Sequence, residues 1–102
     1  MQLSVRDRLL LLQVLPREGD YTTLKLVRTL REELSFNEAE HAVLQFKDGG
    51  GTIQWEEAGL LKDVVIGEKA SDVIVMAFKR LDAEHRLHHE HLGLYEKFVI
   101  PG

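Results

Sequence analysis

The hydrophobic pattern of this chain leaves helical period for one central stretch, and that interruption limits the fold more than any other feature. From Val5 to Val43 apolar residues recur at helical spacing, and from Glu68 onward they do so again. Between these stretches, Leu44-Gln45-Phe46 and Thr52-Ile53-Gln54-Trp55 alternate apolar with polar around Lys47-Asp48-Gly49-Gly50-Gly51. That is the pattern of a β-hairpin with a glycine tip. Asp63-Val64-Val65-Ile66, broken by Gly67, adds a candidate strand. The chain reads as α+β and mainly helical, with about five helices and a small antiparallel hairpin. The order is winged-helix-like, three helices and then two strands, with two further helices at the C-terminal end. With no repeat, low-complexity tract or long linker, residues 1–102 read as one domain.

Local signals place the helices. Ser4 caps a first helix over Val5–Leu15, Asp7 adds negative charge to its first turn, and Pro16 ends it. Leu9 through Leu12 are apolar around more than half the circumference, which marks a central helix. A second helix starts near Thr22, with Thr as N-cap and Tyr21 and Leu26 as a staple. Leu24, Val27, Leu30 and Leu34 form its buried stripe, and Lys25, Arg28 and Arg31 its exposed side. Ser35 and Glu38 match a capping box for a third helix, with Phe36, Ala39 and Val43 inward and Glu38, Glu40 and His41 outward. The longest helix runs from Glu68 to about Glu84 on a wide apolar face of Ala70, Val73, Ile74, Ala77, Phe78 and Leu81, supported by Val75 and Met76. A last helix spans His88 or His89 to Val99, with Leu92, Tyr95 and Val99 on one side and Leu94 and Phe98 beside them.

Composition removes several functional classes. The chain contains no cysteine, which excludes disulfides, thiolate metal sites and thiol nucleophiles and fits a reducing compartment. Leu9–Leu12 is too short to cross a membrane and no signal-peptide cleavage pattern follows it, so no membrane contact and a cytoplasmic location are expected. Residues 1–34 carry six Lys/Arg and five Asp/Glu, whereas residues 35–102 carry seven and twelve, which together give the net charge of −4. An acidic C-terminal two-thirds disfavours contact with phosphates and suits a basic protein surface.

Four of the five histidines, His85, His88, His89 and His91, fall within one seven-residue window. Imidazole is a common metal ligand, and His88 and His91 share a helix face with Glu84 nearby. The window straddles a predicted helix break, however, and has no HExxH pattern, so it reads better as a joint between helices than as a metal site. Gly49-Gly50-Gly51 lacks the following helix that a phosphate loop needs. In a winged-helix reading, the third helix would face DNA with Asn37, Glu38, Glu40 and His41, and those carboxylates repel phosphate. Lys25, Arg28 and Arg31 form the alternative basic stripe for nucleic acid. The carboxylates Glu56, Glu57, Asp63, Asp82 and Glu84 are scattered, and no nucleophile elbow is present, so neither an enzyme nor a cofactor is expected.

Several segments resemble short orphan proteins of tailed-phage and prophage genomes. They are Leu3-Ser4-Val5-Arg6-Asp7-Arg8-Leu9, Arg31-Glu32-Glu33-Leu34-Ser35-Phe36, Ile66-Gly67-Glu68-Lys69-Ala70, Arg80-Leu81-Asp82, Glu90-His91-Leu92 and Leu94-Tyr95-Glu96-Lys97-Phe98-Val99. The resemblance implies a small viral accessory protein that binds a host or phage protein in the host cytoplasm, and it carries no activity and no functional residues. The leucine-rich first helix and the wide face of residues 68–81 offer more apolar surface than one small core needs, so a homodimer is expected. The alternatives are a winged-helix-like DNA-binding regulator and a small-ligand or metal-binding protein.

Overall fold

Ser4 begins the first helix as its position predicts. In the computed structural model, which describes residues 1–48, 50, 53–55 and 59–100, helix α1 covers Val5–Val14. The Ser4 hydroxyl accepts from the Asp7 N–H, and the Asp7 carboxylate accepts from the Ser4 N–H. Leu15 turns extended before Pro16 and closes the helix. Leu10 and Leu11 are buried and Leu12 and Val14 pack against the core, so α1 is the central helix its leucines predict.

Helix α2 (Tyr21–Leu34) is capped by Asp20 rather than Thr22, because the Asp20 carboxylate accepts from the Thr23 N–H at 2.7 Å. A carboxylate serves the positive end of the helix dipole better than a hydroxyl does, and that contact holds the Asp20 carboxyl below its ordinary range. The earlier start leaves Tyr21 exposed with no staple, and Leu24 is also exposed. Val27, Leu30 and Leu34 are buried as the stripe predicts.

Helix α3 (Glu38–Leu44) shows the same kind of shift. Its cap is Asn37, whose side chain accepts from the Glu40 N–H while Glu40 accepts from the Asn37 N–H. Ser35 instead closes α2, with both its N–H and its hydroxyl on the Arg31 carbonyl. The changed register leaves Ala39 and Val43 exposed and turns Glu40 inward. There Glu40 meets Arg8, a charged residue of α1 with only 1% of its surface exposed.

Each nitrogen of that guanidinium has a partner. Nε donates to the Leu34 carbonyl at 3.1 Å and Nη2 to the Ser35 carbonyl at 2.6 Å. Nη1 and Nη2 both donate to the Glu40 carboxylate. The Phe36 ring covers the guanidinium carbon at 3.9 Å. Arg8 therefore caps the C-terminal end of α2 and ties α3 to α1.

The hairpin pairs β2 (Lys47–Asp48) with β3 (Ile53–Gln54), Lys47 opposite Gln54. It is shorter than the alternating pattern predicts because Leu44 completes α3 and Gln45 turns left-handed (φ 48°). Of the glycine tip, Gly50 has φ +68°, and Gly49 and Gly51 lie outside the described residues. Strand β4 (Leu61–Asp63) begins two residues before the predicted Asp63–Ile66. It pairs not with the hairpin but with an N-terminal strand, β1 (Gln2–Ser4), Leu3 opposite Lys62. The Val64 N–H continues the ladder to the Met1 carbonyl at 2.8 Å.

Helix α4 (Glu68–Ala83) buries Ile74 and Phe78 completely, while Met76 points away from the core. A 3-10 turn (His89–His91) leads into α5 (Leu92–Phe98). Leu94 and Phe98 are buried and Tyr95 and Val99 pack partly against the core, as the apolar pattern predicts, whereas Leu92 is exposed. The molecule is thus mainly helical α+β, with five helices and two short antiparallel ribbons among the described residues. No described helix is long and apolar enough to cross a membrane. One cluster joins Leu3, Leu11, Leu30, Val64, Phe78 and Leu94 from successive elements. Phe36, His41 and Phe46 meet edge-on in a smaller group beside α3, with Phe36 and Phe46 5.0 Å apart and Trp55 tilted against Phe46.

Arg8→Ala strands Glu40 and the last carbonyls of α2, so it should cost roughly 2–4 kcal/mol in denaturant unfolding. Amide exchange in α3 should accelerate before that in α1, α2 and α4; uniform acceleration would mean that Arg8 does not hold α3 separately.

Candidate functional site

The histidine window lies where α4 ends and α5 begins, and the structure gives its members different tasks. Two backbone bonds close α4, from His85 N–H to the Asp82 carbonyl and from Arg86 N–H to the Leu81 carbonyl. This is the Schellman pairing, which places the residue after the C-cap in a left-handed conformation. His85 occupies that position with φ 55°, where glycine is the unstrained choice. His91 is 6% exposed, packed 6.0 Å from the Phe78 ring and 5.2 Å from the His88 ring. Its Nδ1 accepts from the His88 N–H at 3.0 Å, which satisfies a free amide of the 3-10 turn and assigns the proton to Nε2. Desolvation holds the His91 imidazole below its ordinary pKa, His88 adds to that effect and Glu90 opposes it.

The residues singled out for metal, His88, His91 and Glu84, come to one cavity of about 590 Å3, but their donor atoms are partly committed. Glu84 accepts from Arg80 Nε at 3.1 Å and Arg86 Nη1 at 3.3 Å, and these two bonds hold its carboxyl below the usual range. Among the described residues, no group of three or more His, Cys, Asp or Glu side chains converges to hold an ion.

Arg28 and Arg31 meet Arg17 around a shallow depression of about 300 Å3 floored by Pro16 and Val27, while Lys25 lies exposed on the same helix. Arg17 is the member that helical spacing could not identify, because the turn after Pro16 brings it back to α2.

Two apolar clefts follow the seam between α2 and α4. The one beside the N-terminal turn of α4 is lined by Leu26, Leu30, Val65 and Ala70 with Glu33 and Lys69 at its rim. The other is lined by Thr23, Val73, Met76 and Ala77. Val65 is 83% exposed and Met76 72%. Both are large apolar side chains held in water along one seam.

No family model, curated protein or solved structure matches this chain.

Two measurements check the histidine joint. Because neutral His91 is favoured in the fold, its contribution is complete above the ordinary imidazole pKa of about 6.5 and declines as pH falls toward the lowered folded value. Unfolding free energy should therefore decline below about pH 6.5 in the parent, and this part of the decline should vanish in His91→Gln. At the other end of the joint, His85→Gly should raise stability by about 1 kcal/mol, because it relieves a left-handed non-glycine residue. A loss of stability would mean that the His85 side chain contributes more than its backbone strain costs.

Proposed function

We propose that this chain is a small, non-enzymatic, phage-type accessory protein that acts in the host cytoplasm by stoichiometric protein–protein contact, and that it self-associates through the seam between α2 and α4. The phage-type attribution rests on the resemblance of its segments. The contact surface rests on one observation, exposed Val65 and Met76, with half-buried Val73 in the same seam, beside two apolar clefts.

Charge on α4 favours a second copy as the occupant. Asp72, Met76 and Lys79 all lie on the exposed side of that helix, with the acid four residues before the methionine and the base three after it. Two copies packed antiparallel about Met76 set each Asp72 against the Lys79 of its partner, as a self-complementary two-fold contact requires. Neither residue makes an ion pair among the described residues. DNA binding draws less support, since α3 keeps Glu38 in its first turn and the basic depression lies on a different helix.

Light scattering across a concentration series should show a dimer that Asp72→Lys or Lys79→Asp weakens by about tenfold, each through like-charge contact, and that the double exchange restores. Met76→Glu should yield a monomer with unchanged helicity. A strict monomer at every concentration overturns the self-association, and a dimer indifferent to these residues overturns the assigned face.

A further inference from the structure

The cavity at the α4–α5 joint, walled on its other side by Gln13, Val14 and Pro16 at the end of α1, is built for more than a helix joint. At about 590 Å3 it falls within the range of small-molecule sites. Part of its wall is apolar, from Val14, Pro16, Leu81 and Leu87. The rest is polar, and its charges do not balance. Arg80 and Arg86 both line it, and both donate to Glu84, the one carboxylate in the lining. Two guanidinium groups thus share a single anion, which leaves a surplus positive charge and free N–H groups on both arginines.

His91 also lines this cavity. Its Nδ1 is occupied by the His88 N–H, so Nε2 carries the proton, and that atom has no acceptor among the described residues. Packing against Phe78 and the bond from His88 hold the ring in place before any ligand arrives. His85 adds an imidazole from a strained backbone position. A divalent cation suits this set poorly. It would have to take Glu84 from two arginines and would meet an N–H on His91 rather than a lone pair.

We propose that the α4–α5 cavity binds a small organic monoanion, a carboxylate on a compact apolar body. The carboxylate takes the surplus guanidinium charge and the His91 Nε2–H, and the body lies against Pro16, Leu81 and Leu87. This cavity shares Pro16, Ala77 and Arg80 with the neighbouring cleft of the α2–α4 seam, but its assignment does not rest on self-association there.

Benzoate is a suitable probe, titrated into the full chain while the imidazole nitrogens are followed by NMR. The expected result is saturable one-to-one binding that shifts His91 Nε2 and leaves Nδ1 bonded to His88, with benzyl alcohol failing to bind. Arg86→Gln should weaken benzoate by about tenfold, the loss of one charge-assisted contact. Glu84→Gln should tighten it, because a competing carboxylate is removed, whereas a metal site would lose affinity on the same change. Both residues are exposed at the helix end, and circular dichroism checks that each variant keeps its fold. No saturable shift, equal affinity in Arg86→Gln, or weaker binding in Glu84→Gln would each overturn the assignment.

Discussion

Arg8 lies on the inward stripe of α1, three residues before Leu11 and seven before Leu15, and a guanidinium there must find partners for every nitrogen or lose several kcal/mol of solvation. It finds them in three places that the chain would not otherwise bring together. The last carbonyls of α2 receive two of its N–H groups, the Glu40 carboxylate receives the bidentate fork, and Phe36 covers the flat face. The end of α2, the start of α3 and the middle of α1 are thereby fixed relative to one another. Apolar contact cannot fix them in this way, because burial is non-directional and a planar fork is not. Of the helices, α3 has the least apolar contact with the main core, so its position owes most to this one side chain.

The parts of the fold that could be read from sequence are those where periodicity is strong and the cap is unambiguous. Ser4 and Pro16 bracket α1, and Ile74 and Phe78 lie on the apolar face of α4 as their spacing predicts. The differences share one cause. At the starts of α2 and α3 two capping residues compete within two positions, Asp20 against Thr22 and Asn37 against Ser35. Pattern alone cannot rank them, because the choice depends on which carbonyl needs Ser35 and which face must carry Glu40. The inward turn of Glu40 was hidden by that register. Sequence reasoning missed Arg8, although its signal is a charge on the stripe of Leu11 and Leu15, which implies a partner elsewhere. Strand β1 left almost no trace, since three residues carry no period and their partner lies sixty positions away.

The histidine window shows the limit of reading a site from residue type. Four imidazoles in seven residues suggest a shared ligand, yet the α4–α5 joint separates them into different roles. His85 serves a left-handed turn, His91 becomes a core ring with a committed Nδ1, and His88 contributes a backbone amide as well as a ring. Glu84 stands out in the sequence beside the histidines, but Arg80 and Arg86, which give the cavity its charge, each look alone like a surface residue. Their meeting depends on the Schellman turn, and that turn is set by backbone bonds rather than by side-chain type.

The pairing of β1 with β4 also governs the order in which the chain can become a protein during synthesis. Leu3, one of the most buried residues, acquires its strand neighbour only when Lys62 is present, and the central helix gains Phe78 still later. A nascent chain ending at α3 lacks Val64, Ile74, Phe78, Leu94 and Phe98 of the core, so the cost of closing a long loop is not yet repaid by strand or helix contacts. The strand and helix contacts that complete the core thus become available only after residues 61–98 have been made. Until the second half emerges, the leucine face of α1 is the surface a chaperone would find.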